Sequence, residues 1–252
     1  MVLDKDNIIR LSTVDSTNRY LRDEADLLWG SRTAGDYVVV TSEHQTAGRG
    51  QKGNTWNSNA GENLLFSILV RPGETLAVKG QFILSQAVAL ALYDAMSCYG
   101  IDVRLKWPND IYVGDRKLAG ILVELDCCGA FVDQAIIGIG LNVNQEFFPI
   151  MDRIPVSMKM LKDCDFSPED VLATILDSFK QRYSAMCSGC KAELVAEYSK
   201  LLLGLNELRA FVDSEGRFNA VIVGVESDGH LLLRREGGVL SRYAFKEAEQ
   251  LL

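Results

Sequence analysis

The stretch "QTAGRGQKGNTW", residues 45–56, decides the fold class, because its three glycines have two interpretations. Gly48, Gly50 and Gly53 have the G-x-G-x-x-G spacing of a dinucleotide-binding turn. Such a turn must open a helix, whereas here turn-forming residues continue to Gly61 and a strand-like run follows. The dinucleotide-binding interpretation therefore fails. A solvated hairpin remains, as does a cationic loop whose backbone N–H groups hold an anion.

The periodicity on either side of this loop predicts an α+β domain. Helices are predicted to begin at "DSTN" (residues 15–18), at the almost wholly apolar "QFILSQAVALALYDAMSCYG", at Ser167 and at Lys191. Strands are predicted at "DYVVVTSEH", "NLLFSILVR", "VRLKW", "KLAGILVEL" and "QAIIGIGLNVN". This order of elements does not build a parallel βαβ sheet after the glycine loop. From residue 206 onward, short strands between glycine turns predict a small all-β domain, which sets domains at 1–205 and 206–252.

Bulk composition excludes several classes of protein. The chain has 252 residues and a net charge of −8, which disfavours general nucleic-acid binding, because duplex binding needs a basic surface. The N-terminus has no signal-peptide core, and no apolar run is long enough to span a bilayer, so we expect a cytoplasmic protein with no membrane partner. Cys187 and Cys190 have C-x-x-C spacing, but no second pair accompanies them, which favours ordinary cysteines at helix ends over a metal or redox site.

A second motif, "KWPNDIYVGDRKLAGILVE" (residues 106–124), carries two lysines at the ends of strands. A lysine that enters an apolar sheet is costly unless its ammonium group meets an anion. Lys106 and Lys117 near Asp110 suit a polyphosphate with Mg2+, which prefers carboxylate and phosphate oxygens. The alternative is two lysines that extend their ammonium groups to solvent along an apolar surface.

A third motif, "GIGLNVN", places Gly138 and Gly140 within a predicted strand. Glycine there indicates either a β-bulge or a backbone left bare so that a ligand can lie against it.

In this order and spacing, "DSTN", "QTAGRGQKGNTW", "KWPNDIYVGDRKLAGILVE" and "GIGLNVN" resemble the motifs of biotin protein ligases. The resemblance covers nearly the whole chain, and the "KWPND" segment is its most specific part. It implies a mainly antiparallel sheet packed with helices, as in class II synthetase-like ligases, and a C-terminal SH3-like β-barrel. It also implies a reaction in which biotin and ATP form biotinyl-5′-adenylate, after which a lysine of a biotin carboxyl carrier protein domain takes the biotinyl group.

The resemblance also implies a set of site residues. Those expected to bind biotin are Ser16, Thr17, Asn18, Gln45, Gly48, Arg49, Gly50, Gln51, Lys117, Gly138 and Gly140. Those expected to bind ATP or the adenylate are Arg49, Gln51, Lys52, Trp56, Lys106, Asn109, Asp110, Lys117 and Asn142. The expected catalytic cations are Arg49, Lys106 and Lys117, and the expected Mg2+ ligand is Asp110. Such cations suit carboxylate activation, which brings two anions together.

Two features depart from the pattern. Many resembling proteins have a second arginine in the glycine loop where this chain has Gln51, so the loop has one fixed charge fewer unless Lys52 compensates. Some also begin with a DNA-binding domain, whereas "DSTN" begins here at Asp15, so we expect a ligase-only form.

Two rival functions stay open from the sequence. A lipoate ligase has similar chemistry, but the polar "DSTN" and Gln45 favour a ureido head over an apolar dithiolane. A non-catalytic biotin or nucleotide sensor would not need Lys106, Asp110 and Lys117 together. The sequence leaves the oligomeric state open, a homodimer included, and does not identify the carrier protein.

Overall fold

The computed structural model describes residues 7–32, 35–149 and 153–252. Its strands and helices are, in chain order, β1 (Ile8–Val14), α1 (Thr17–Ser31), β2 (Tyr37–Gln45), β3 (Leu64–Val70), β4 (Gly73–Ala77), α2 (Phe82–Cys98), β5 (Arg104–Lys106), β6 (Asp110–Val113), β7 (Arg116–Cys128), β8 (Phe131–Leu141), α3 (Met158–Lys162), α4 (Pro168–Cys187), α5 (Lys191–Lys200), β9 (Leu208–Asp213), β10 (Gly216–Val225), β11 (Leu231–Arg235), β12 (Leu240–Tyr243) and β13 (Ala248–Gln250). The chain forms two compact units. The first comprises the segments up to Val78 and Arg116–Asp177, and the second comprises Lys79–Asp115 and Ser178–Leu252.

The sheet of the first unit has the strand order β1-β2-β3-β8-β7, and β4 also pairs with β8. All of these pairs are antiparallel except β1–β2. The predicted mainly antiparallel α+β fold is therefore confirmed. The sequence did not predict β1, which forms one parallel βαβ unit with α1 and β2. The glycine loop follows β2 and does not join β1 to α1, so it is not a dinucleotide-binding turn.

Helix α1 packs on one face of this sheet through an apolar stripe. Leu21, Ala25 and Leu28 recur at helical spacing and are buried. They lie in a core cluster whose sheet members are Ile9, Val38, Val40, Leu69 and Ile136. This packing holds the first turn of α1 over the same face of the sheet. That turn lies over positions two residues away from the core-cluster residues of β3 and β8.

The second unit is built around the apolar helix α2, as the sequence predicted. Gly100, just beyond the helix, has a positive φ of 64°, which fits a glycine that ends a helix. Arg182 binds Asp94 of α2 at 2.6 Å and Glu197 of α5 at 2.5 Å. The hydrogen bond from Arg182 holds the pKa of the Glu197 carboxyl below its ordinary value. These ion pairs fasten α2, α4 and α5 to one another.

The C-terminal strands form a five-stranded antiparallel sheet in the order β12-β11-β10-β9-β13. The predicted small all-β element is confirmed, and it begins at Leu208. Among the strands that the structure describes, no pairing joins β12 to β13, so the sheet is open where the resemblance implied a barrel. Within the second unit, the indole N–H of Trp107 donates to the carbonyl of Gly229 at 2.9 Å. The domain boundary after residue 205 stays a prediction.

All six cysteines are free thiols. Cys187 is the last residue of α4 and Cys190 precedes α5, as expected for cysteines at helix ends.

Within the described residues, no helix is long and apolar enough to cross a membrane.

Candidate ligand site on the glycine-bearing sheet face

Three neighbouring strands of the first unit leave a bare patch on one sheet face. Ser67 of β3 pairs with Gly138 of β8, and Gly138 pairs in turn with Leu122 of β7. Two residues further along β8, Gly140 pairs with Gly120 of β7. The register is continuous through these positions, which excludes the β-bulge as the reason for Gly138 and Gly140. The patch lies on the face against which α1 packs.

The side chain of Asn18 lies directly across Gly138. A Cβ atom at Gly138 would lie 2.2 Å from Asn18 Oδ1, so only glycine leaves room for this amide. Ser67 Oγ lies 2.6 Å from Asn18 Oδ1, and Asn18 Nδ2 donates to Glu124 Oε2 at 2.8 Å. Asn18 and Ser67 are both buried. Asn18 therefore bridges β3 and β7 over the bare strand between them.

The buried polar chain continues from Ser67 to the end of β2. Ser67 Oγ lies 2.7 Å from Thr17 Oγ1, and the backbone N–H of Thr17 donates to Gln45 Oε1 at 2.8 Å. Burial of such groups is tolerated because they bond to one another. Ser16 is the N-cap of α1 and is buried beside them. Three of the residues expected to bind biotin thus form one connected set, together with Ser67, which the sequence analysis missed.

Trp56 covers the second part of the bare patch. A Cβ atom at Gly140 would lie 2.4 Å from Trp56 Cε2, and one at Gly120 would lie 3.1 Å from Trp56 Cζ3. The buried indole Nε1 has no hydrogen-bond partner in the described part of the chain. In this structure, the absence of side chains at Gly138 and Gly140 therefore makes room for Asn18 and Trp56. Gly120 plays the same part as Gly140, although the sequence analysis did not single it out.

Lys117 extends its ammonium group along the same patch. Lys117 Nζ lies 5.6 Å from the centre of the Trp56 ring and 3.3 Å from where a Gly120 Cβ would be. The backbone N–H of Lys117 donates to Ile154 at 2.8 Å, and its carbonyl accepts from Val156 at 2.9 Å. Asn142 Nδ2 donates to the Val156 carbonyl at 3.1 Å and contacts the Lys117 carbonyl at 3.4 Å. Lys117 thus extends from a main chain that Asn142 helps to fix.

The glycine loop is a hairpin. Arg49 and Thr55 form a bridge, and the N–H of Trp56 donates to the carbonyl of Gly48 at 3.0 Å. A Cβ atom at Gly48 would lie 2.4 Å from the Trp56 carbonyl oxygen, so this glycine permits the two arms to approach. At the tip, a single 3-10 turn spans Gln51–Gly53. The structure therefore contains the predicted hairpin, and whether it also holds an anion stays a prediction.

Two charged contacts define the base of this loop. Arg49 Nη2 lies 3.0 Å from Glu124 Oε1 on β7. Arg22 Nη2 of α1 lies 3.3 Å from the same oxygen. The side chain of Lys52 lies outside the described part of the structure. The Glu124 carboxylate, which the sequence did not single out, therefore links Arg49 to the buried polar chain.

The remaining predicted site residues lie on the β5–β6 hairpin of the second unit. Lys106 and Asp110 are opposite each other in its register, and both are buried. Lys106 Nζ lies 5.5 Å from the centre of the Tyr112 ring. Asn109 is half-buried in the turn between the strands. The hairpin thus brings the predicted lysine and the predicted Mg2+ ligand together.

A buried chain of uncharged donors and acceptors beside a lysine and an indole suits a polar organic ligand that also carries an anionic group. The protein belongs to the biotin/lipoate A/B protein ligase family, whose model matches residues 11–142. This confirms the family predicted from the sequence.

Individual relatives agree with the family assignment. The chain is 38% identical to the biotin--[acetyl-CoA-carboxylase] ligase of Paracoccus denitrificans, over 90% of this chain and 94% of the relative. It is 30% identical to the bifunctional ligase/repressor BirA of Escherichia coli, over 93% of this chain and 71% of the relative. A biotin protein ligase from Aquifex aeolicus, solved in complex with biotin and ATP, is 26% identical, with a TM-score of 0.79 and coverage of 97% and 98% of the two chains.

Proposed function

We propose that this protein is a biotin protein ligase that activates biotin with ATP and transfers it to a lysine of a biotin carboxyl carrier protein domain. In the first step the biotin carboxylate attacks the α-phosphorus of ATP, the α–β phosphoanhydride bond breaks, and pyrophosphate leaves. In the second step the carrier lysine amine attacks the biotinyl carbonyl, loses a proton, and releases AMP. Neither step needs a nucleophile from this chain.

The observation that carries the proposal is the buried polar chain that joins Gln45, Thr17, Ser67 and Asn18. The ureido head of biotin has two N–H donors and one carbonyl acceptor, which need complementary groups in a dry site. The hydroxyl and amide groups of this chain supply them. An apolar dithiolane head has no donor or acceptor to match the hydrogen-bonding capacity that these groups keep for a ligand. The site therefore favours biotin over lipoate.

Beside this chain, Lys117 and Arg49 are suited to the anionic part of the reaction. Their charges would screen the approach of the biotin carboxylate to the α-phosphate and stabilise the charge that develops there. Trp56 offers a flat surface for the adenylate. These roles agree with the roles that the family resemblance implies.

For the β5–β6 hairpin, the proposed role is in binding ATP phosphates. A single buried carboxylate such as Asp110, combined with phosphate oxygens, is a donor set that Mg2+ accepts. Asp110 would hold the ion, which neutralises phosphate charge when bound.

The cytoplasmic location also stays a prediction from the sequence.

Incubation with biotin, ATP, Mg2+ and a biotin carboxyl carrier domain, followed by intact-mass measurement of the carrier, tests the proposed function. A gain of one biotinyl group, abolished when the carrier lysine is replaced, is the expected result. A parallel reaction with lipoate in place of biotin separates the two activities of the family. Faster modification by lipoate would reject the assignment, and biotin binding without pyrophosphate release would identify a sensor.

The glycine loop is expected to become ordered when biotin or the adenylate binds. Hydrogen bonds fasten one end of the loop, where Thr46 donates to Val14 and Ala47 to Asp15, each at 2.9 Å. The other end is fastened where the N–H of Asn59 donates to Gln145 Oε1 at 3.1 Å. Residues 48–58 have few apolar anchors, so ligand contacts must drive their ordering. Hydrogen exchange should slow in residues 48–58 on addition of biotin, while strand β10 serves as the internal reference. Equal exchange with and without biotin would contradict the prediction.

Gln51→Arg is expected to retain biotinyl-5′-adenylate several-fold longer than the wild type. Gln51 opens the 3-10 turn at the loop tip, and a neutral amide holds a phosphate about half as strongly as a guanidinium group does. The gain is about 1 kcal/mol. The measurement is the rate at which preformed adenylate leaves or decays in wild type, Gln51→Arg and Lys52→Ala. If only Lys52→Ala changes that rate, the lysine holds the intermediate instead.

A further inference from the structure

Glu124 connects the buried polar chain to the charged base of the glycine loop. Its side chain is only 15% exposed. Oε2 accepts from Asn18 Nδ2, while the guanidinium groups of Arg49 and Arg22 both approach Oε1. The two guanidinium groups compensate the charge of this carboxylate. An ionised carboxylate has no proton, so it accepts hydrogen bonds but cannot donate one.

This acceptor fixes the order of the protons along the chain. Because Glu124 only accepts, the NH₂ group of Asn18 must face it, and Asn18 Oδ1 must face Ser67. Ser67 has one hydroxyl proton, which must then go to Asn18 Oδ1. The 2.7 Å contact between Ser67 and Thr17 therefore needs the proton of Thr17.

This order of protons determines which hydrogen bonds Thr17 makes at the end of the chain beside Gln45. The hydroxyl proton of Thr17 is directed to Ser67, and Gln45 Oε1 then accepts from the backbone N–H of Thr17 alone. The Thr17 oxygen is left to accept a hydrogen bond. An acceptor is the partner that a ureido N–H requires.

We propose that Glu124 is a positioning residue for biotin recognition, which orders the protons of the Thr17–Ser67–Asn18 chain so that Thr17 acts as an acceptor. This role rests on the proposed function. With a neutral amide at position 124, the Asn18 amide can face either way, and the chain can reverse. In the reversed order Asn18 donates to Ser67, Ser67 donates to Thr17, and Thr17 donates to Gln45, whose Oε1 is 3.1 Å from the hydroxyl.

Calorimetric titration with biotin in the absence of ATP tests the proposal. Glu124→Gln keeps the size of the side chain but not its acceptor-only character, and it is expected to raise the biotin Kd about tenfold. Glu124→Asp keeps the acceptor character at a shorter reach and is expected to bind several-fold more tightly than Glu124→Gln. A role in packing alone predicts the opposite order, which would overturn the proposal. Asp126→Asn, which neutralises an exposed carboxylate of the same strand outside this chain, is the matched control and should change Kd less than about twofold.

A double-mutant cycle supplies a readout that a general loss of stability would not produce. Ser67→Ala interrupts the same chain, so Glu124→Gln should have little further effect on Kd in that background. Additive losses, or a Kd for Glu124→Gln equal to that of the wild type, would overturn the role of Glu124. A wild-type protein that binds no biotin would instead defeat the proposed function, so the two failures are distinct.

Discussion

Replacement of Lys117 by alanine is expected to slow biotin-dependent pyrophosphate release about 100-fold while the protein stays folded. The ammonium group is held beside Trp56 on the bare patch, and one preorganised charge at a transition state contributes about 3 kcal/mol. The contacts that hold this part of β7 use backbone atoms of Lys117, which alanine keeps. The loss should therefore appear in the rate of adenylate formation and not in the thermal unfolding temperature.

Arg116→Ala is the matched control for Lys117→Ala. Arg116 is the preceding residue of β7, and neighbouring side chains of a strand point to opposite faces of the sheet. Removal of that positive charge should leave pyrophosphate release nearly unchanged. Normal release by Lys117→Ala would move the catalytic charge to another residue, and equal losses in both variants would indicate a general electrostatic effect.

The long elements could be predicted from the sequence because their periodicity is strong. Helix α2 is apolar almost all round, and β3 is apolar at every position except Ser67, so burial dictates both. Strand β1 was missed, because "IIRLSTV" mixes polar and apolar residues and only its pairing with β2 makes it a strand. The short strands β4 and β6 likewise depend on their partners. The β-propensity of a segment gives little information where pairing with another strand decides whether the segment forms a strand.

The site was predictable to the extent that its residues lie in motifs, and no further. Asn18 and Glu124 are 106 positions apart, and Ser67 and Asn18 are 49 apart. Only the register that places Ser67, Gly138 and Leu122 side by side brings them together. Two signals were nonetheless present. Ser67 is the single polar residue in an otherwise apolar strand, and Glu124 follows the apolar run of β7.

Gly138→Ala is the change expected to damage biotin binding most directly. The added methyl group would lie 2.2 Å from Asn18 Oδ1, closer than any real contact, so one of the two must move. Asn18 cannot yield at low cost, because Ser67 and Glu124 hold both ends of its buried amide. Displacement turns this amide away from the ligand and disrupts the chain that orders it, which would cost the biotin complex about two hydrogen bonds, or about 3 kcal/mol.

The biotin Kd of Gly138→Ala should therefore rise about 100-fold, measured by calorimetric titration, while the apolar core under α1 keeps the protein folded. Gly30→Ala is the matched control, because Gly30 is exposed on α1 and a Cβ there would have no heavy atom within 4 Å. That control should bind biotin as the wild type does and should be slightly more stable, since alanine favours a helix over glycine. Wild-type affinity in Gly138→Ala would mean that the Asn18 amide does not hold biotin. The bare backbone of β8 would then serve only to pack α1 against the sheet.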